Sequence, residues 1–131
     1  MDFSTQILGR DLRHMHLARL LSKKSCGESI KVGAVIAKGN KIIGVGFNNP
    51  NKTHPAANCH SGKIHAEHAA IANVSNIEKI SGSTIYVYRN NRLDNRSRMS
   101  RPCFACHALL RKHGVRLMVY TTDVGIGKER V

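Results

Sequence analysis

The chain has no tryptophan, and with three phenylalanines and three tyrosines aromatic residues make up only 5% of its 131 positions. Proteins that track single-stranded nucleic acid stack successive bases on aromatic rings, so the shortage counts against a long stacking groove. Acidic residues are also scarce: eight Asp and Glu stand against 21 Lys and Arg, for a net charge of +13. No apolar run approaches the ~20 residues of a membrane span. The opening Met1-Asp2-Phe3-Ser4-Thr5-Gln6 lacks a basic stretch followed by an apolar one, so no signal peptide is expected and a cytoplasmic or nuclear setting follows by default. No repeat, low-complexity tract or linker interrupts the chain, and residues 1–131 are expected to form a single domain.

What is present is globular in composition, with 41% hydrophobic and 22% charged residues. The positive excess favours polyanionic partners, either nucleotides or nucleic acid, with solubility as the plainer explanation. The cysteines are Cys26, Cys59, Cys103 and Cys106. Without a secretory signal, a Cys-x-x-Cys pair more often means metal or redox chemistry than disulfides.

Hydrophobic periodicity predicts a helix from Gln6 to about Lys24, with Ile7, Leu8, Leu12, Met15, Leu17, Leu20 and Leu21 as its apolar stripe. Ile30 to Ala37 and Lys41 to Phe47 are β-branched runs joined by Lys38-Gly39-Asn40 and predict an antiparallel hairpin. Asn48 to Lys63 reads as a loop, and His65 to Val74 as an alanine-rich helix. A third strand is expected over Ser83 to Arg89 and a basic loop over Asn90 to Arg101. A third helix follows from Cys103 to His113, with Pro102 in a favourable first position and Gly114 as the cap. Val115 to Thr121 predicts a fourth strand, and a turn near Gly125 leads to a short final one ending at Val131. This alternation implies an α/β fold, a mixed sheet with helices on both faces.

Two motifs carry the chemistry: His65-Ala66-Glu67 and Pro102-Cys103-Phe104-Ala105-Cys106. Zinc takes imidazole nitrogen and thiolate in tetrahedral sites, and a catalytic zinc keeps one position open for water. His65, Cys103 and Cys106 supply three such ligands, which leaves Glu67 to handle the protons of that water. Each ligand group lies at a predicted helix start, where the dipole favours thiolate. Other readings are a redox Cys-x-x-Cys pair, buried cysteines, or a structural zinc with Glu67 as fourth ligand.

These motifs resemble the zinc-dependent cytidine and deoxycytidylate deaminase superfamily, with its His-x-Glu and Pro-Cys-x-x-Cys signature. The resemblance runs from about residue 10 to 125. It includes Lys31-Val32-Gly33-Ala34-Val35-Ile36 with Ile42-Ile43-Gly44-Val45-Gly46-Phe47-Asn48, similar to the family's first hairpin. His65-Ala66-Glu67-His68-Ala69-Ala70-Ile71 is similar to the helix of the deoxycytidylate and tRNA-adenosine branches, whereas free-cytidine deaminases usually place Cys at the position of His65. The resemblance implies a three-layer fold with a mixed five-stranded sheet, in which the direction of the last strand separates branches. It implies one catalytic zinc, Glu67 as proton shuttle, the Ala66 backbone holding the base, Asn48 on the sugar or base edge, and a homo-oligomer. Asn48 can also be read as a turn residue.

Further candidates surround this core. Cys26, His54, Cys59 and His60 could form a second, structural zinc site, or be loop and core residues. His68, His107 and His113 read as packing or surface residues. Phe47, Tyr88 and Phe104 are candidates either for base stacking or for the core. Five arginines between Arg89 and Arg101 suit a phosphate, with Arg101 nearest the zinc motif, although a solvated basic loop would look the same. The leading expectation is hydrolytic deamination of a cytosine nucleotide, most simply dCMP to dUMP. The alternative is a polynucleotide deaminase acting on single-stranded DNA or RNA, on cytosine or tRNA adenosine. A catalytically dead nucleic-acid-binding module is disfavoured by the intact motif.

Overall fold

The computed structural model describes residues 5–24, 30–53, 63–91 and 97–131. Helix α1 (Gly9–Ser22) leads into strands β1 (Ile30–Lys38) and β2 (Lys41–Phe47), then a short pair, β3 (Asn49–Thr53) and β4 (Lys63–Ile64). Next come α2 (Ala66–Ala72), a 3-10 turn (Ile77–Ile80), β5 (Thr84–Asn91) and β6 (Ser97–Arg98). The chain closes with α3 (Phe104–Lys112), β7 (Leu117–Thr122) and β8 (Gly125–Arg130).

The main sheet has the order β2-β1-β5-β7-β8, with β6 paired to β5 beside it. β1 runs antiparallel to β2 and β5, β5 is parallel to β7, and β7 is antiparallel to β8. The expected mixed five-stranded sheet is therefore present. The last strand is six residues long and forms a hairpin with β7, pairing Leu117 with Arg130 through Thr122 with Gly125.

Both faces of the sheet are covered, which is why the central strands read as continuous apolar runs. Alternate residues serve opposite layers. Ala34, Ile36, Ile85, Val87 and Met118 pack with Ala66, Ala70 and Ile71 of α2 and Leu110 of α3. Val35, Ala37, Tyr86 and Val119 pack with Met15, Ala18 and Leu21 of α1.

The α1 stripe differs from its expected form. Leu12 and Leu20 are exposed, and the buried face comprises Asp11, His14, Met15, Ala18, Leu21 and Ser22. Close approach explains the small residues: a Cβ on Gly33 of β1 would sit 2.6 Å from the Ser22 backbone nitrogen. Pairing explains the charge. Asp11 accepts from Lys128 Nζ at 2.8 Å, from the Tyr86 hydroxyl at 2.7 Å and from the Leu8 backbone N–H at 2.8 Å. Burial pushes this carboxyl up, but the ammonium and the two other donors outweigh it and hold Asp11 below the usual carboxylate range. A hydrophobic-period argument selects leucines and so misses a helix seated by small and paired polar residues.

Three other expectations change. The segment Asn48 to Lys63 is not all loop, because β3 and β4 pair across it; Asn49-Pro50-Asn51-Lys52-Thr53 has no apolar alternation to announce a strand. The basic segment Asn90 to Arg101 is partly strand, since β5 continues to Asn91 and β6 pairs with it. Pro102 lies outside α3: Cys103 is the N-cap with extended backbone (φ −65°, ψ 168°), and the first helical residue is Phe104. At the other end His113 caps α3, and Gly114 takes the left-handed conformation (φ 81°) that follows many helices.

Candidate active site

The site is built where α2 and α3 begin. α2 lies on β2 because that strand presents glycines toward it. A Cβ on Gly44 would meet the Ala70 carbonyl oxygen at 2.6 Å, and one on Gly46 would meet Ala69 at 2.7 Å. With glycine on the strand and Ala69-Ala70 on the helix, the two backbones close together and fix where α2 starts. His65 is the N-cap of α2 and remains extended (φ −86°, ψ 158°).

The start of α3 is fixed by Ser100. This buried hydroxyl donates to the Val87 carbonyl at 2.7 Å and accepts from Thr121 N–H at 2.7 Å and Thr121 Oγ1 at 2.8 Å. The Ser100 N–H donates to the Thr121 carbonyl at 2.9 Å. The parallel ladder of β5 and β7 ends at Val87 and Tyr120. Ser100 fills the fork beyond it, tying the chain to both strands three residues before Cys103. Sequence reasoning missed Ser100, because a lone serine in a basic segment carries no pattern.

The donor atoms of His65, Cys103 and Cys106 all lie within 4.8 Å of one another. Cys106 Sγ is 3.5 Å from His65 Nδ1. Tetrahedral zinc with Zn–S of ~2.3 Å and Zn–N of ~2.0–2.1 Å requires an S···N separation of about 3.5 Å, so the pair fits the metal without rearrangement. Cys103 and Cys106 form no disulfide; Cys106 is buried and Cys103 half-buried. Among the described residues the metal-competent set is these three, and Glu67 is not in it.

Glu67 is buried in the first turn of α2. Burial pushes its carboxyl above the usual range, opposed by its own backbone N–H, the charge of His65 and the Cys106 thiol. The two-residue spacing of His65 and Glu67 works because one caps the helix with extended backbone and the other is helical. Together the groups can hold a metal with an open position and keep a proton-accepting carboxyl beside it.

Other candidates fall in varied places. Ala66 is buried at the first helical position of α2, where a backbone N–H has no intrahelical partner. Asn48 extends the hairpin: its backbone N–H donates to the Val32 carbonyl at 3.1 Å, and its Oδ1 accepts from Val32 N–H at 2.9 Å. Arg101 is exposed and ion-paired with Glu129 of β8, which raises its already high pKa. Phe47 and Tyr88 are half-buried and pack in the α1 layer, on the sheet face away from α2 and α3. Phe104 is 92% exposed. His68 is buried, while His107 on α3 and His113 at its C-cap are half-buried. Cys26, His54, Cys59, His60, Arg92 and Arg96 lie outside the described residues.

Residues 9–122 match the family model of the cytidine and deoxycytidylate deaminase zinc-binding region. The chain belongs to this family. The deaminase is similar in structure to the dCMP deaminase of cyanophage S-TIM5, with a TM-score of 0.63 and 27% identity over 86% of this chain and 82% of that one. It is also similar to Acinetobacter baumannii RibD, with a TM-score of 0.57 and 27% identity over 86% of this chain but only 28% of that longer one. The cytidine deaminase of Mycobacterium leprae shares the fold at 19% identity, with a TM-score of 0.58 over 93% of this chain and 94% of that one. No curated protein sequence is significantly similar to the chain. The deaminase is thus a hydrolase of the zinc type, and the donor set of its site fits that metal.

Proposed function

We propose that the deaminase hydrolyses the exocyclic amine of a cytosine nucleotide, dCMP to dUMP. The observation that carries this reading is the three-donor set of His65, Cys103 and Cys106 with Glu67 buried beside it and outside it. The similarity to a dCMP deaminase supports the choice of substrate.

His65, Cys103 and Cys106 would hold the zinc, which would supply Lewis acidity toward the attacking water. Glu67 takes a proton from that water as the oxygen bonds to C4, and passes it to the ring N3. It then carries the second proton to the amino group. The C4–N bond breaks, ammonia leaves and uracil remains. A raised carboxyl pKa suits a group that must both accept and give protons. The Ala66 N–H is assigned the base. Asn48, its amide fixed by Val32, is assigned the sugar or base edge. Arg101 is assigned the phosphate, which must compete with Glu129 for the guanidinium.

A second reading, deamination within a single-stranded polynucleotide, draws on Phe104. This exposed ring directly follows Cys103 and could stack a neighbouring base. Mass spectrometry on dCMP, CMP, deoxycytidine, single-stranded DNA and RNA separates the two, with Glu67→Ala as the blank. Turnover of dCMP alone supports the first reading; turnover of oligonucleotides but not monomers replaces it with the second.

A further inference from the structure

The outward face of α1 is not used by the active site, which lies in the opposite layer. Arg10, Arg13, Arg19, Lys23 and Lys24 are all exposed. At about 100° per residue they fall within roughly half the helix circumference. The one acid of α1, Asp11, is turned to the sheet and paired with Lys128. The row continues onto the β1–β2 hairpin tip, where Lys38 and Lys41 are exposed. That tip is pinned to α1 by Arg13 Nη2 donating to Asn40 Oδ1 at 3.1 Å and by His14 Nε2 lying 3.0 Å from the Gly39 carbonyl.

We propose that this face is a sequence-independent docking surface for the backbone of duplex nucleic acid, separate from the deamination pocket. From Arg10 to the C-cap Lys23 the helix rises about 20 Å, a cationic edge against a rod that carries a charge every ~1.7 Å. Three other occupants fit less well. Single strands are held by stacking on aromatic rings, and α1 has no Phe, Tyr or Trp. A bilayer needs an apolar face apart from the charges, but Leu12 and Leu20 lie among the cations while the main apolar side of α1 is buried on the sheet. A second copy docking through the same patch would set like charges against like. The proposal does not depend on the substrate assigned above.

The test is fluorescence anisotropy with a 25-base-pair duplex over a salt series. It compares the full chain with a variant carrying Arg10→Ala, Arg13→Ala, Arg19→Ala and Lys23→Ala. The surface predicts at least a hundredfold weaker binding at 50 mM salt, a salt slope shallower by about 3–4 units, a Tm lowered by no more than a few degrees through loss of the exposed Arg13–Asn40 bond, and unchanged dCMP turnover. Glu67→Ala should bind the duplex like the parent, which keeps this test apart from the catalytic reading. Parent-like binding by the fourfold variant overturns the proposal. So does no duplex binding by the parent at 50 mM salt. So does tighter binding to a single strand of equal length, or to vesicles of phosphatidylserine, that is lost in the same variant.

Discussion

Cys106 Sγ and His65 Nδ1, 41 positions apart in sequence, lie 3.5 Å from each other at the starts of two helices. Nothing local to either motif brings them together. The distance is set by how α2 seats on β2 and how α3 leaves the fork between β5 and β7.

Zinc should therefore stabilise the folded chain directly. At a hundredfold excess over its dissociation constant the gain is about 2.7 kcal/mol, on the order of ten degrees in Tm for a domain of this size. Calorimetry before and after chelation checks it. Cys103→Ala should lack the zinc-dependent increment; a Tm insensitive to chelation in the parent would remove the metal from the site.

Glu67→Ala should retain one zinc per chain and lose turnover by at least ~10²–10⁴-fold, the usual range for a general acid–base group. Metal content by mass spectrometry and steady-state rates on dCMP read the two halves separately. Loss of zinc together with activity would instead make Glu67 a ligand.

Gly46→Ala should displace α2, since the added carbon has no room beside Ala69. Overpacking of this kind costs about 1–3 kcal/mol or more. The informative readout is zinc affinity by competition with a chelator, which should weaken beyond what the change in apo stability explains, because His65 moves with its helix.

Ser100→Ala removes a buried hydroxyl that serves Val87 and Thr121 at once. Leaving the Thr121 N–H and the Val87 carbonyl without it should cost about 1–3 kcal/mol. Denaturant unfolding measures the loss. Zinc affinity should drop in parallel, because Cys103 follows three residues later.

The Asp11–Lys128 pair predicts a specific acid limb. The folded carboxyl titrates below its unfolded value of ~3.9. Its stabilisation is thus complete above that value and lost as pH falls through the folded pKa. Asp11→Asn should destabilise the chain at neutral pH by about 3–5 kcal/mol, because the buried Lys128 ammonium keeps the Gln6 carbonyl but loses its counter-charge. It should also flatten the stability profile below about pH 4. Unfolding curves from pH 2.5 to 7 for both proteins decide this.

By itself the sequence determined the motif chemistry and the order of the three helices and the five strands of the main sheet. His65, Glu67, Cys103 and Cys106 are recognisable because metal ligands and a spare carboxylate are rare residue types at fixed spacing. The β1–β2 hairpin and the alternation of helix and strand follow from runs whose side chains face packed layers. Tertiary structure alone decided what has no local signature. Asp11 belongs to the core because Lys128, 117 positions away, neutralises it; Leu12 and Leu20 stay outside because Gly33 draws Ala18 and Ser22 inward. Ser100 matters because two parallel strands part where it lies, and Phe47 and Tyr88 pack in the α1 layer because strand alternation turns them that way. Arg101, read from sequence as a phosphate contact, meets Glu129 in the fold because β8 returns antiparallel beside it. A one-dimensional pattern records what a residue is, whereas burial and pairing depend on which distant residues the sheet order makes neighbours.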